Sequence, residues 1–183
     1  MKQKGSEYMK KTLVICSSQT GFTRKYAHWL AEETGADLLE QKEAAKKEDS
    51  FFEAYQAIVY GGWVMAGKVM KSDWFLGKAQ SWKDKRLAIF AVGASPMESP
   101  DIEKALQQLL TEEQKQYIRA FYCPGGLNYD AMKLPSRLAM KMLASVKGRK
   151  NATEDEKKMA AMISSSYDLS DRKYLEPVAA YLG

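Results

Sequence analysis

A chain of 183 residues, 45% of them apolar, is long enough to bury one sizeable core and is read as one domain spanning 1–183. Its apolar runs are strand-length, so no bilayer span is expected, and two cysteines, Cys16 and Cys123, are too few for a disulfide framework. Of the 28 basic residues, six (Lys133, Arg137, Lys141, Lys147, Arg149, Lys150) fall in 131–150, which holds no acid; elsewhere 22 basic residues face 23 acidic ones, so the overall +5 is a near-neutral body with one basic segment.

Residues 1–10 form an extension outside the fold pattern, and Met9 is an alternative start. The extension is charged but has no apolar stretch of leader length behind it, so a cytoplasmic chain is expected. Thr12–Cys16, "TLVIC", reads as a buried parallel strand. A helix follows over Phe22–Thr34, with Tyr26, Ala27, Leu30 and Ala31 on one face and Gly35 as its stop. Ala36–Glu40 reads as a second strand, and "QKEAAKKEDSFFEAY" as a polar connection with some helical character. Gln56–Gly61 is a third strand, running into the glycine-rich "GGWVMAGK", after which Val69–Trp82 reads as a helix. Arg86–Gly93 is a strongly apolar fourth strand. Pro100–Leu110 is a helix with Ser99 as N-cap and Pro100 at its first position. Tyr117–Cys123 is a fifth strand, residues 125–167 a long, largely helical insertion, and Asp171–Leu182 a last amphipathic helix. Strands alternating with helices argue an α/β fold with a parallel sheet covered on both faces.

The stretch "CSSQTGFTRK" sits between the first strand and the N-terminus of the first helix. Free N–H groups and the positive end of the helix dipole converge there. Ser17, Ser18, Thr20 and Thr23 add hydroxyls and Gly21 permits close approach, so a phosphate is the expected guest; a capped helix with a tight turn is the plainer alternative. Arg24 and Lys25 are expected to face solvent. Gly62 to Val69 nearly matches the nucleoside-triphosphate loop G-x-x-x-x-G-K-[ST]. Val69, however, replaces the metal-binding hydroxyl, and Trp63 and Met65 are bulky for a phosphate cradle.

Three loops together resemble the flavodoxin family: "Ser18-Gln19-Thr20-Gly21-Phe22-Thr23" after the first strand, "Gly61-Gly62-Trp63" after the third, and "Ala91-Val92-Gly93-Ala94-Ser95-Pro96-Met97" after the fourth. The resemblance covers Thr12 to about Gly126 plus the last helix. It implies a flavodoxin-like, doubly wound five-stranded parallel sheet of order 2-1-3-4-5, with FMN at the switch between strands one and three. It also implies the cofactor-binding residues. Ser17, Ser18, Gln19, Thr20, Gly21, Phe22 and Thr23 would lie at the phosphate, Gly61, Gly62, Trp63 and Val64 at the ribityl chain and ring, and Val92, Gly93, Ala94 and Ser95 along the pyrimidine edge. The sequence departs from flavodoxins in lacking a ring-stacking aromatic in the third loop and an acidic rim, and in carrying the insertion. In placement and character the insertion is similar to that of the flavodoxin-like menaquinone-dependent protoporphyrinogen oxidases. That similarity implies an FMN oxidoreductase acting on a porphyrinogen, with a quinone or similar acceptor. A flavodoxin-type electron-transfer protein without its own substrate is the alternative, and a fold that has lost FMN and serves as a binding module is a third.

In the insertion, Leu134, Leu138, Met142 and Val146 share one helical stripe, and Lys133, Arg137 and Lys141 recur every four residues beside it. Two readings follow: a helix packed on the sheet with a solvated basic face, or a lid or docking surface for anionic substrate or lipid headgroups, its methionines lining a flat ligand. The expected partners are a small-molecule substrate or a redox partner protein, with peripheral membrane contact through the basic insertion. Nucleic acid is not expected, because the basic stretch carries no interleaved aromatics. His28 is the lone histidine and reads as exposed, which leaves no metal cluster and no catalytic triad. No catalytic side chain is singled out. Cys123 reads as a buried, inert thiol, and Gly125, Gly126 and Tyr129 as a pocket rim.

Overall fold

The computed structural model describes residues 11–183; the N-terminal extension and Met9 lie outside the described residues. In chain order the elements are β1 (Thr12–Cys16), α1 (Phe22–Thr34), β2 (Asp37–Glu40), α2 (Gln41–Ala44), α3 (Asp49–Glu53), β3 (Ala57–Met65), β4 (Lys68–Val69) and α4 (Ser72–Ala79). They continue with β5 (Arg86–Gly93), α5 (Asp101–Leu109), β6 (Ile118–Pro124), β7 (Gly126–Leu127), α6 (Leu134–Lys147), α7 (Glu154–Ile163), β8 (Tyr167–Asp168) and α8 (Glu176–Leu182).

The main sheet runs β2-β1-β3-β5-β6, all parallel, which is the order 2-1-3-4-5 of the five long strands. Alternate side chains leave its two faces and each face meets its own helices. Leu13, Ile15, Ile58, Tyr60, Leu87 and Ile89 pack against Phe52, Phe75, Trp82 and Ile102. Val14, Val59, Ala88 and Phe90 pack against Tyr26 and Leu30 of α1 and Val178 and Leu182 of α8. Because both faces are covered, the strands can be continuous apolar runs.

Three expectations shift. The third strand does not stop at Gly61. It continues through Gly62 and Trp63 to Met65 and folds back as β4, with Val64 opposite Val69 and Met65 opposite Lys68. Ala66 and Gly67, both at positive φ (49° and 76°), make the turn, as a tight hairpin requires. The near-match to a triphosphate loop is therefore a β-hairpin, and the following helix starts at Ser72 instead of Val69. The two glycines read as a loop signal, but they serve close packing inside the sheet: a Cβ on Gly61 would lie 2.1 Å from Phe90 Cζ, and one on Gly62 would lie 2.5 Å from Val69 Cγ1. Pro100 occupies the cap position of α5, outside the first turn, and Ser99 makes no side-chain cap. The last helix is split into a 3-10 turn, Arg172–Leu175, and α8, whose first turn accommodates Pro177 because its missing N–H has no acceptor there.

The insertion is tied at its base. β7 and β8 pair antiparallel, Gly126 with Asp168 and Leu127 with Tyr167. The Tyr26 hydroxyl of α1 donates to the Pro124 carbonyl (2.6 Å) and accepts from the Asp171 N–H (3.1 Å), joining both ends of the insertion to the core. Between these strands α6 leans on α7, which opens with a Thr153–Glu156 capping box. The expected stripe of α6 is real, but it does not pack on the sheet. No residue of α6 is buried, and Leu134, Leu138, Met142 and Val146 are exposed.

Candidate functional site

At the C-terminal ends of β1 and β3 the chain diverges to opposite sides of the sheet, the switch point at which open α/β sheets bind ligands. Gly21, at φ 103°, turns the loop into α1, a conformation that glycine adopts without a Cβ clash. The first intrahelical bond runs from Lys25 N–H to Gly21 O (2.9 Å), so the N–H groups of Phe22, Thr23 and Arg24 have no acceptor in the helix. No side chain caps this end. The Ser18 hydroxyl accepts from the Gly21 N–H (3.1 Å) one residue short of it, shaping the loop. Ser17 is buried and its N–H donates to Gly61 O (2.9 Å), locking the loop to β3.

A cavity of about 140 Å³ opens above this helix end. Gln19, Thr20, Phe22 and Thr23 line it from the first loop, Trp63 and Val64 from β3, and Val92, Gly93 and Ala94 from the end of β5. Three loops separated by about 40 and 30 residues thus meet at one site. An adjoining cavity of about 250 Å³ shares Val64, Gly93 and Ala94 and adds Ser95, Ile102 and Tyr122. Of the other expected residues, Ser17, Ser18, Gly21, Gly61 and Gly62 line neither cavity. Ser95 is braced by Tyr122, whose hydroxyl accepts from Ser95 N–H (3.1 Å) and donates to Ser95 O (2.7 Å).

Two polar atoms of the lining residues are buried without a partner: the Thr23 hydroxyl and the Trp63 indole N–H. Thr23 is 1% exposed, and an unsatisfied buried donor is costly unless a ligand takes it up. Thr23 stands on the helix turn with the free N–H groups, so its hydroxyl and those groups form a donor cluster suited to an anion. Val64, Met65, Val92, Leu127 and Met140 give the cavity a largely apolar wall. No carboxylate, lysine, arginine or histidine lines this cavity. Arg24 and Lys25 are held elsewhere. Arg24 pairs with Glu40 (2.7 Å), and Lys25 bonds Asp168 and Ser170 (2.8 Å each), clipping α1 to the return from the insertion.

The insertion, read either as a lid or as a helix packed on the sheet, roofs the cavity with α6. Met132, Ser136, Ala139 and Met140 line it, and Gln19 Nε2 donates to Ser136 Oγ at 3.3 Å. Tyr167 of β8 donates its hydroxyl to Ala94 O (2.7 Å), bracing the third loop where no aromatic was found in the loop itself. Gly126 does line the cavity. Tyr129 does not; it bonds the Ile163 carbonyl and the Ser166 hydroxyl and holds the insertion together. His28 is exposed. Cys16 and Cys123 are free and buried, on strands that are not neighbours. Burial pushes both thiols up to about 12, which leaves them protonated and unreactive at neutral pH.

Residues 13–154 match the sequence model of a family described as a flavodoxin domain. The chain belongs to that family. No curated protein matches it in sequence. Among solved structures it is similar to a flavodoxin, WrbA-like protein from Agrobacterium tumefaciens: 20% identity over 70% of this chain and 88% of that one, TM-score 0.47. It is also similar to a flavoprotein in complex with FMN from Lactobacillus acidophilus: 19% identity over 63% and 92%, TM-score 0.41. The flavodoxin fold carries FMN at the switch between its first and third strands, where the cavity of this flavodoxin domain lies. The fit is direct. An orphan hydroxyl and free helix N–H groups suit the phosphate, and an apolar slot with one orphan indole donor suits a flat heterocycle.

Proposed function

We propose that this flavodoxin-domain protein is an FMN-dependent oxidoreductase that oxidises a substrate of the porphyrinogen class, with a quinone or similar molecule as electron acceptor. When bound, FMN supplies the redox chemistry. The chain's residues do the rest. Phe22, Thr23 and the loop before them hold the phosphate. Val64, Val92 and Gly93 set the slot. Met132, just before α6, and Ala139 and Met140 within it exclude water and give a deformable apolar wall.

The observation that carries this reading is the roof. A pure electron carrier works through an exposed cofactor edge, whereas here an added helix covers the cavity with methionine and alanine and latches to Gln19 through Ser136. The cavity under the roof, about 140 Å³, is small beside the roughly 300–1,000 Å³ usual for cofactor and ligand sites, so the roof is expected to lift when cofactor and substrate enter. No charged side chain lines the cavity under the roof, which fits a reaction in which binding and exclusion of water are the protein's part there; the adjoining cavity adds Asp101 and Tyr122.

The test begins with the absorption spectrum of the purified protein and identification of any released chromophore. FMN in stoichiometric amount, followed by oxidation of a porphyrinogen with a soluble quinone under anaerobic conditions, is the expected result. Bound FMN that exchanges electrons rapidly with a redox partner protein but turns over no porphyrinogen would replace this reading with the electron-carrier one. A folded protein that takes up no FMN would end both.

A further inference from the structure

Five of the six exposed large hydrophobic residues among those described lie on α6, the sixth being Met65 at the cavity. Leu134 is 77% exposed, Leu138 62% and Met142 61%, with Leu143 and Val146 also open. A soluble surface rarely leaves such a contiguous strip uncovered. Spaced by four residues, Leu134, Leu138, Met142 and Val146 wind along one side of a helix roughly 21 Å long. The inner side, with Ser136 and Met140, faces the cavity, so the roof is apolar toward the site and apolar toward the outside.

Charge indicates what covers the strip. Lys133, Arg137 and Lys141 follow the same four-residue rhythm along its edge, Arg149 and Lys150 stand just past its end, and residues 131–150 contain no acid. Leu134, Pro135, Leu138, Arg137 and Lys141 together line a shallow outer groove. A symmetric contact with a second copy would bring two such rows of cations face to face. Asp130 stands just before the helix, where its backbone carbonyl accepts from Arg137 Nη2 (3.4 Å), and Glu154, Asp155 and Glu156 at the start of α7 are paired with Lys157 (2.9 Å), Lys158 (3.9 Å) and Lys147 (3.8 Å). An apolar strip edged by unopposed cations is the pattern of a helix lying in the interface of an anionic bilayer.

We propose that the outer face of α6 docks the protein on a membrane surface rich in anionic lipid, with Leu134, Leu138, Met142 and Val146 entering the acyl boundary and Lys133, Arg137 and Lys141 at the headgroups. The docking does not depend on bound FMN. Among the described residues no helix is long and apolar enough to cross a bilayer, so the contact is peripheral.

The experiment is flotation of the full chain with vesicles of equal parts phosphatidylglycerol and phosphatidylcholine, against phosphatidylcholine alone, at rising sodium chloride. Binding to the anionic vesicles only, weakened by salt, is expected. Leu138→Gln with Met142→Gln should lower the partition at least about tenfold, and Lys141→Gln should lower it about fivefold. All three positions are exposed, and unchanged far-ultraviolet circular dichroism and melting temperature confirm that the variants fold. No flotation with anionic vesicles at low salt overturns the proposal, as does flotation that survives the double substitution. A dimer in analytical ultracentrifugation that the double substitution dissociates would assign the strip to a second copy instead. Because the readout needs neither cofactor nor substrate, failure here leaves the proposed redox function standing, and failure there leaves this surface standing.

Discussion

Helices α1 and α6 have nearly the same length, 13 and 14 residues. Both carry an apolar stripe at helical spacing, and both border the same cavity. They differ in what the stripe meets. In α1 Tyr26, Ala27 and Leu30 are fully buried against the sheet. In α6 nothing is buried and the stripe points outward. Periodicity shows that a helix has an apolar side; it does not say whether the rest of the chain covers that side. One helix is held by burial, the other by α7 and the clasp of β7 and β8, which leaves its outer face free for a task other than stability.

The sharpest way to break this contrast is a matched pair of truncations. Leu30→Ala should lower unfolding free energy by about 2–5 kcal/mol, the range for a fully buried leucine. Leu138→Ala should change it by no more than about 0.5 kcal/mol, as expected for an exposed position. Urea unfolding followed by tryptophan fluorescence reads both. A loss at Leu138 comparable to that at Leu30 would mean that α6 packs through its outer stripe.

The same two helices show how much the sequence revealed. α1 was legible to the residue, Phe22–Thr34, because its signals are local: a turn glycine before it, a stripe within it and Gly35 after it. The sheet order followed from three loops that resemble one family. The end of β3 was not legible. Gly61 and Gly62 read as a loop because the side chains that require them, Phe90 and Val69, come from other strands. For the roof, a lid was one of two open readings of the insertion, and the residues that make it were not legible. Ser136 and Met140 reach the cavity through contacts more than a hundred residues distant in sequence from Gln19 and Thr23, and no spacing rule carries that information.

Alkaline pH separates the two regions further. Cys16 and Cys123 lie in the apolar layer beneath α1, and burial raises both thiols from 9.0 to about 12. The unfolded chain releases these protons near pH 9 while the folded chain keeps them, so the unfolded state binds fewer protons there and stability falls as pH rises. The thiols' contribution is intact below pH 9 and shrinks between 9 and 12. Stability near pH 10 should be about 1–3 kcal/mol below that at pH 8. Replacing both cysteines with alanine should flatten that part of the profile even though the protein starts less stable. An equally steep decline in the double variant would place the sensitive groups elsewhere, Tyr26 first among them, since burial raises its phenol too.

The smallest expected effect on stability is the most informative about the site, because its sign differs between two measurements. In α1 the Thr23 hydroxyl is buried and unpartnered; in α6 the Ser136 hydroxyl has Gln19. Thr23→Val keeps the shape and removes a donor that the empty fold does not use. The FMN-free protein should therefore gain about 1 kcal/mol. FMN binding should weaken about tenfold or more, because a hydrogen bond to a charged phosphate is among the stronger ones. Ser136→Ala, which removes a bond near the surface, should leave the stability of the FMN-free protein within about 0.5 kcal/mol. Melting of the FMN-free protein and fluorescence titration with FMN give the two signs separately. Destabilisation of the FMN-free Thr23→Val protein would show that the hydroxyl already has a structural partner. A gain in stability with unchanged FMN affinity would move the phosphate away from the start of α1, and with it the reading of "SSQTGFT" as the cofactor loop.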